Sequence, residues 1–248
     1  MGGERRPLGA GELSRCALVT GAARGVGAAI AARLEADGWQ VHGVDLPDGD
    51  LTTRAGNRAV VDAALERFDG RLDAVVANAG FQHVAPVRDF PEEQWDRLQA
   101  LLLTSPFLLA KYAWDALAAA GDGRFLVVAS VHGLTASPFK AGYVAAKHGV
   151  LGLVKVLALE GAAAGISASA LCPGYVRTEL VEAQLADQAA AHGLPEEQVL
   201  EDVLLAPQAV KRLLEPAEVA GAAAWLLGPE GRAVTGTPLV MDLGWTAR

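Results

Sequence analysis

Cys16-Ala-Leu-Val19, followed at once by Thr20-Gly21-Ala22-Ala23-Arg24-Gly25-Val26-Gly27, decides the fold. The first four residues read as a short apolar strand, and the Ala-rich run to Asp37 reads as a helix. Glycines between them let the backbone turn tightly and approach a pyrophosphate, and the helix N-terminus offers free N–H groups to it. Such a turn alone is weak evidence, and its spacing is Gly-x-x-x-Gly-x-Gly, unlike the common Gly-x-Gly-x-x-Gly. The strand-turn-helix context strengthens it. Outward from this turn the pattern repeats. Gln40 to Val44 is a second strand ending at Asp45. Leu72 to Ala77 is followed by Asn78-Ala79-Gly80, and Arg124 to Ala129 by Ser130. Ile166 to Leu171 is followed by Pro173-Gly174-Tyr175-Val176-Arg177-Thr178. Strands alternating with helical runs predict a parallel α/β sheet.

Chemistry gathers at the strand ends. In Tyr143-Val-Ala-Ala-Lys147 a phenol and an ammonium stand four residues apart, on one helix face. A phenol titrates near pH ~10, and a fixed positive charge beside it favours the phenolate. Such a tyrosine can take a proton from an alcohol or return it to a carbonyl oxygen. Read singly, Tyr-x-x-x-Lys is an ordinary amphipathic pair, and Asn78-Ala79-Gly80 is a plain turn.

These elements in this order resemble the short-chain dehydrogenase/reductase family, from about Ser14 to the C-terminus. The resemblance implies an α/β fold: a single Rossmann-type, doubly wound parallel sheet with helices on both faces and a small helical lid after the sixth strand. It also implies a nicotinamide cofactor and hydride transfer. Tyr143 would be the acid-base, Ser130 would hold the substrate oxygen, and Lys147 would hold the ribose and tune the tyrosine. The cofactor would lie on Gly21, Arg24, Gly25, Val26, Gly27, Asp45, Asn78, Ala79, Gly80, Tyr143, Lys147, Pro173, Gly174, Val176 and Thr178. A carboxylate at Asp45 accepts from the adenine-ribose hydroxyls and repels a 2′-phosphate. Arg24 is where basic residues accompany NADP in the family. The carboxylate is closer to the deciding atom, so the reading is NAD.

A narrower group, the (R)-3-hydroxybutyrate dehydrogenases, is similar around Phe81 to Pro86, Ser130 to Leu134, Tyr143 to Gly149, Val181 to Gln184 and Gly244 to Arg248. This implies Gln82, His132, Lys140 and Gln184 on a substrate carboxylate, with Trp245 closing the pocket. A small β-hydroxy acid needs cationic or amide donors at a fixed distance from the Tyr-Ser pair. Singly, Lys140 reads as a solvated lysine, His132 as a turn residue, Gln82 and Gln184 as polar surface, and Trp245 as subunit packing. One position departs from the family. Leu102 stands where an Asn supports a helix kink whose backbone carbonyl holds a relay water. Pro106, four residues on, lacks the N–H that would pair with that carbonyl. Two other readings stay open: the same scaffold acting on another hydroxyl or ketone, and a dinucleotide-binding protein without turnover.

At 248 residues the chain suits one domain over residues 12–248, burying about 70–75% of its unfolded surface. Residues 1–11, Gly-rich with Arg5 and Arg6, read as a flexible tail and not a secretory signal. Between Asp45 and Leu72 the chain is short for the family, which predicts the loss of one helix and most of a strand, with Asp50 and Leu51 expected beside the adenine. Residues 179–215, Ala- and Glu-rich and broken at Gly193-Leu-Pro195 and Pro207, read as a pair of lid helices. A net charge of −8 and pI ≈ 5.1 argue against nucleic acid or anionic membranes as partners. No apolar stretch of membrane-spanning length lacks charges. Cys16 and Cys172 read as buried or reduced thiols, consistent with a cytoplasmic location. No Cys or His pattern suggests a metal. The helix from Ala141 to Ala164 is apolar on much of its surface and reads as mostly buried. Such small-residue helices form subunit interfaces in the family, so the resemblance implies a homotetramer.

Overall fold

In a computed structural model, which describes residues 14–182 and 184–247, six runs form one parallel sheet. They are β1 (Cys16–Thr20), β2 (Gln40–Val44), β3 (Ala74–Ala77), β4 (Gly123–Val128), β5 (Ile166–Pro173) and β6 (Pro238–Met241), in the order β2-β1-β3-β4-β5-β6. The strands β1, β3 and β4 are buried throughout, which is why they read as unbroken apolar runs instead of alternating ones. The expected tail lies outside the described residues.

Nine α-helices follow in chain order among the described residues: α1 (Gly25–Ala36), α2 (Arg54–Arg67), α3 (Glu92–Gln99), α4 (Ser105–Ala119), α5 (Ala141–Gly161), α6 (Glu179–Glu182), α7 (Leu185–His192), α8 (Glu196–Val199) and α9 (Pro216–Leu227). One core layer packs α2, α4 and α5 on the sheet through Val61, Leu109, Val150 and Val154. The other packs α1 and α9 on the opposite face through Ile30, Leu34, Val219 and Ala223. The sheet is thus covered on both faces, as the strand pattern requires.

Chain order along the sheet reverses beside β1, whose neighbours are β2 and β3. At such a point the loops leaving the strand ends diverge and open a crevice. The register Val19↔Val76 carries Thr20 to the end of β3, within reach of Asn78. The Thr20 hydroxyl accepts from the Asn78 and Ala79 N–H groups at 3.0 and 3.1 Å, locking the two strand ends together.

The segment between Asp45 and Leu72 keeps one full helix, α2, and no strand, in line with the expected loss, but two details of the lid differ from the sequence reading. The lid therefore follows β5, the fifth strand of six, and not a sixth. The pair of lid helices is α6–α7 and then α8, which runs into a π-helical turn at Leu200–Leu204. Residues 205–215 carry no helix and close the lid's base through a bridge between Val176 and Leu214.

The stretch Ala141–Ala164 is long and apolar enough, by length and composition, to cross a membrane. Here Gly142, Ala146, Val150, Val154 and Leu157 form its buried stripe, and it carries Tyr143 and Lys147 to the crevice. Its outer face exposes Val156 and Leu159. Both cysteines are buried free thiols.

Candidate active site

A cleft of about 1040 Å³ opens over the strand ends between the glycine-rich turn, α5 and the lid. Its first half is built from backbone. Gly21 and Gly25 have φ of +66° and +57°, which side chains resist. At Gly27 a Cβ would collide with the Gly21 carbonyl oxygen, so only glycine fits where α1 starts beneath the turn. The first-turn N–H groups of α1 lack acceptors within the helix and suit an anion. Asn78 pins the turn, donating to the Thr20 and Gly21 carbonyls at 2.9 and 3.2 Å. The Asp45 carboxylate, at the end of β2, accepts from the Ala23 N–H at 3.1 Å and lies on the cleft wall.

All the sequence-predicted cofactor residues except Gly27 line this cleft, and Gly27 sits beneath its floor: Val26, Asp50, Leu51, Ala79 and Gly80 on one side, Pro173, Gly174, Val176 and Thr178 on the other. Arg24 also lines it and pairs with exposed Glu179 at 3.0 Å, tying the turn to the first lid helix. A cradle that a Cβ would fill, free helix N–H groups and a carboxylate at the second strand's end together fit a dinucleotide.

Ser130, Tyr143 and Lys147 meet deeper in the cleft. Ser130 lies two residues past β4, where its extended backbone lets the hydroxyl cap the next turn, accepting from the His132 N–H at 3.1 Å. The Tyr143 phenol lines the same cleft as Ser130, whose hydroxyl acts to lower the phenol's pKa. One turn along α5, the Lys147 ammonium donates to the Val128 carbonyl at 2.8 Å and stands 5.4 Å from the Tyr143 ring centre. Burial pushes Lys147 down to about 8. Burial also pushes Tyr143 up to about 12, outweighing the Ser130 hydroxyl. The expected lowering of the phenol by the nearby Lys147 charge does not prevail against this burial. The carbonyl partner orients the ammonium, and loss of hydration at the phenol dominates.

The substrate end is a nest of buried polar groups. Lys140, immediately before α5, is 1% exposed. Its ammonium donates to the Tyr175 hydroxyl at 3.1 Å and the Gln184 side-chain oxygen at 3.3 Å. Burial pushes it down to about 8. No carboxylate partners it among the described residues. His132 is pushed down to about 3, first by burial and then by the Lys140 charge, so it is neutral near pH 7. Its ring meets Tyr143, Tyr175 and Trp245 edge-on. Trp245 stacks on Tyr175 at 5.5 Å. Asp242 fixes the Trp245 loop, accepting from Gly244 N, Thr246 N and the Thr246 hydroxyl at 2.6–3.0 Å. Gln184, between α6 and α7, is anchored by donation to the Leu180 carbonyl at 2.7 Å. Gln82 lines the cleft farther out, with its side-chain oxygen on the His83 N–H. The lid residues Val181, Val199, Leu204 and Leu205 pack with Tyr175 and Trp245 in one apolar cluster, so lid and pocket share a core.

The departure at Leu102 falls inside a π-helical turn, Ala100–Thr104, between α3 and α4. There the Ser105 N–H reaches the Ala100 carbonyl, five residues back, and Pro106 brings no N–H to the next position. Leu102 itself is 2% exposed among Leu98, Ala146, Phe81 and Tyr143. It supplies packing behind the tyrosine where an amide is expected.

Sequence reasoning missed Tyr175, Ser137 and the locking role of Thr20. Tyr175 lay within a quoted motif, but only its packing on Trp245 and its bond to Lys140 give it a role. Ser137 stands in an unremarkable loop, and its bond to the His132 ring at 2.9 Å carries no local signature.

Residues 42–246 match a family model described as enoyl-(acyl carrier protein) reductase. A D-beta-hydroxybutyrate dehydrogenase of Rhizobium meliloti is 39% identical, covering 95% of this chain and 100% of that protein. One from Cupriavidus necator is 38% identical, covering 94% and 98%. An acetoacetyl-CoA reductase of Rhizobium meliloti is 34% identical, again covering 94% and 98%. Relatives of this identity that run the length of the chain, on a sheet whose strand ends carry the same motifs in order, place this oxidoreductase in the short-chain dehydrogenase/reductase family.

Proposed function

We propose that the chain interconverts (R)-3-hydroxybutyrate and acetoacetate with NAD. One observation carries the substrate reading: the buried ammonium of Lys140, held by Gln184 and Tyr175 with no acidic partner among the described residues, next to the Ser130–Tyr143 pair. An unpaired buried cation is costly, and a substrate carboxylate relieves that cost. His132 and Gln82 border the same space. A short acid held there would set its carbinol oxygen against Ser130 and Tyr143. The two relatives named as hydroxybutyrate dehydrogenases support this reading.

Ser130 holds the substrate oxygen and Tyr143 exchanges its proton. When bound, oxidised NAD supplies the hydride acceptor and a positive charge that favours the phenolate. Lys147 is placed to bind the ribose while its carbonyl partner fixes it. Trp245, Tyr175 and the lid cluster exclude water from the carboxylate end. The Asp45 carboxylate supports NAD over NADP by repelling a 2′-phosphate. Exposed Phe107, Val156 and Leu159 on α4 and α5 support self-association through those helices, as a homotetramer would use them.

The test is NADH formation with (R)-3-hydroxybutyrate and NAD, beside the (S) acid, NADP and the reverse reaction with acetoacetyl-CoA. Turnover confined to the (R) acid with NAD is expected. The relative named as an acetoacetyl-CoA reductase makes the thioester the second reading. A thioester has no carboxylate for Lys140, so faster turnover of it would overturn the substrate assignment.

A further inference from the structure

Oxidation of an alcohol at Tyr143 leaves a proton on the phenol, and a line of polar groups leads from that phenol to a second cavity. Tyr143 and Ser130 line the same cleft, and the Ser130 hydroxyl acts to lower the phenol's pKa. The Ser130 hydroxyl lies 3.4 Å from His132 Nδ1, and His132 Nε2 lies 2.9 Å from the Ser137 hydroxyl. Ser137 shares a cavity wall with Tyr175, whose hydroxyl accepts from Lys140. Ser130 and His132 are 6% and 3% exposed, whereas Ser137 is only half-buried, so the chain runs outward.

At its outer end Ser137 and Tyr175 line a cavity of about 240 Å³ beneath the lid, with Gln188, His192, Leu194 and Asp202. Gln188 is 1% exposed, and neither end of its amide has a protein partner among the described residues. Buried amides are satisfied by water where protein groups do not reach them. The wall of this cavity is therefore built for water.

We propose that His132 and Ser137 carry the catalytic proton between Ser130 and this cavity, a path separate from the Lys147 side of the site. In the oxidative direction the Tyr143 O–H passes its proton to Ser130, whose own proton goes to His132 Nδ1. The Nε2 proton leaves for Ser137, and the Ser137 proton leaves for water in the cavity. Each group ends with the protons it began with after its rotor or tautomer resets, and the released proton balances hydride transfer. Burial beside Lys140 keeps the imidazole neutral, so it can work by exchanging tautomers.

The inference rests on the dehydrogenase reading, though not on which alcohol is the substrate. The experiment compares wild type with Ser137→Ala and Ser137→Thr, using whichever alcohol the substrate panel shows wild type to oxidise. Ser137→Ala is expected to lower kcat about tenfold or more, with KM little changed. Its solvent isotope effect on kcat should rise, added imidazole should restore turnover, and the threonine variant should stay near wild type. Unchanged kcat and isotope effect would overturn the relay. So would a loss that raises KM and resists imidazole, which would make Ser137 only a support for His132. A second readout needs no turnover. The relay requires His132 with its proton on Nε2, visible by nitrogen NMR of labelled protein; an Nδ1–H tautomer or an imidazolium near pH 7 breaks it.

Discussion

Replacing Lys140 by Met should weaken substrate binding and strengthen the fold. Met keeps the apolar stem and removes a charge that is 1% exposed. Lys140 titrates at about 8 in the folded chain against 10.5 ordinarily. Between those values the unfolded chain binds more protons, so stability rises with pH through that window, and below pH ~8 the full penalty stands. A shift of this size corresponds to about 3 kcal/mol of destabilisation near pH 7. Met also forfeits two hydrogen bonds, to Tyr175 and Gln184, worth about 1 kcal/mol each. The net expectation is a gain of about 1 kcal/mol near pH 7. The pH slope above ~8 should become shallower, because the Lys140 share is lost while that of Lys147, also at about 8, remains. Binding moves the other way. Losing a buried charge-assisted bond to a carboxylate costs about 3 kcal/mol, roughly a hundredfold in KM for a hydroxy acid. A neutral alcohol of similar shape should be spared. Urea melts at several pH values and KM for acid and neutral substrates are the assays. A variant that is less stable near pH 7, or whose KM rises equally for both substrates, would refute the reasoning.

Tyr143→Phe should lose most activity while still binding NAD by calorimetry; near-normal turnover would remove the phenol from the chemistry. Gly27→Ala forces a Cβ into the Gly21 carbonyl oxygen, so NAD affinity should fall at least tenfold or the chain should melt earlier; an unchanged Kd with an unchanged Tm would contradict the tight-turn account. Leu102→Asn puts an amide into an apolar cluster and should cost about 1–3 kcal/mol in a thermal melt without raising kcat. A large gain in kcat would instead show that the missing Asn limits the proton's route.

The local pieces of this protein were legible because they are written in neighbouring residues. A buried strand is an apolar run, and the turn after β1 must carry glycine where φ is positive. Tyr143 and Lys147 share a face because four residues make about one helical turn. Order along the chain then fixed the parallel fold, since a strand-helix-strand path has few ways to close. What neighbouring residues could not show was which distant groups meet. Lys140, Tyr175 and Gln184 are up to 44 residues apart, and only packing of the lid on Trp245 turns them into one nest. The lost strand was legible in the short stretch between Asp45 and Leu72, and its loss puts the lid after β5. Burial, a property of the assembled core, decided the protonation of the site: it raises Tyr143 despite the lysine and keeps His132 neutral. Sequence determined which chemical groups exist and on which elements they ride; the tertiary structure decided their distances and hydration, on which their acidity depends.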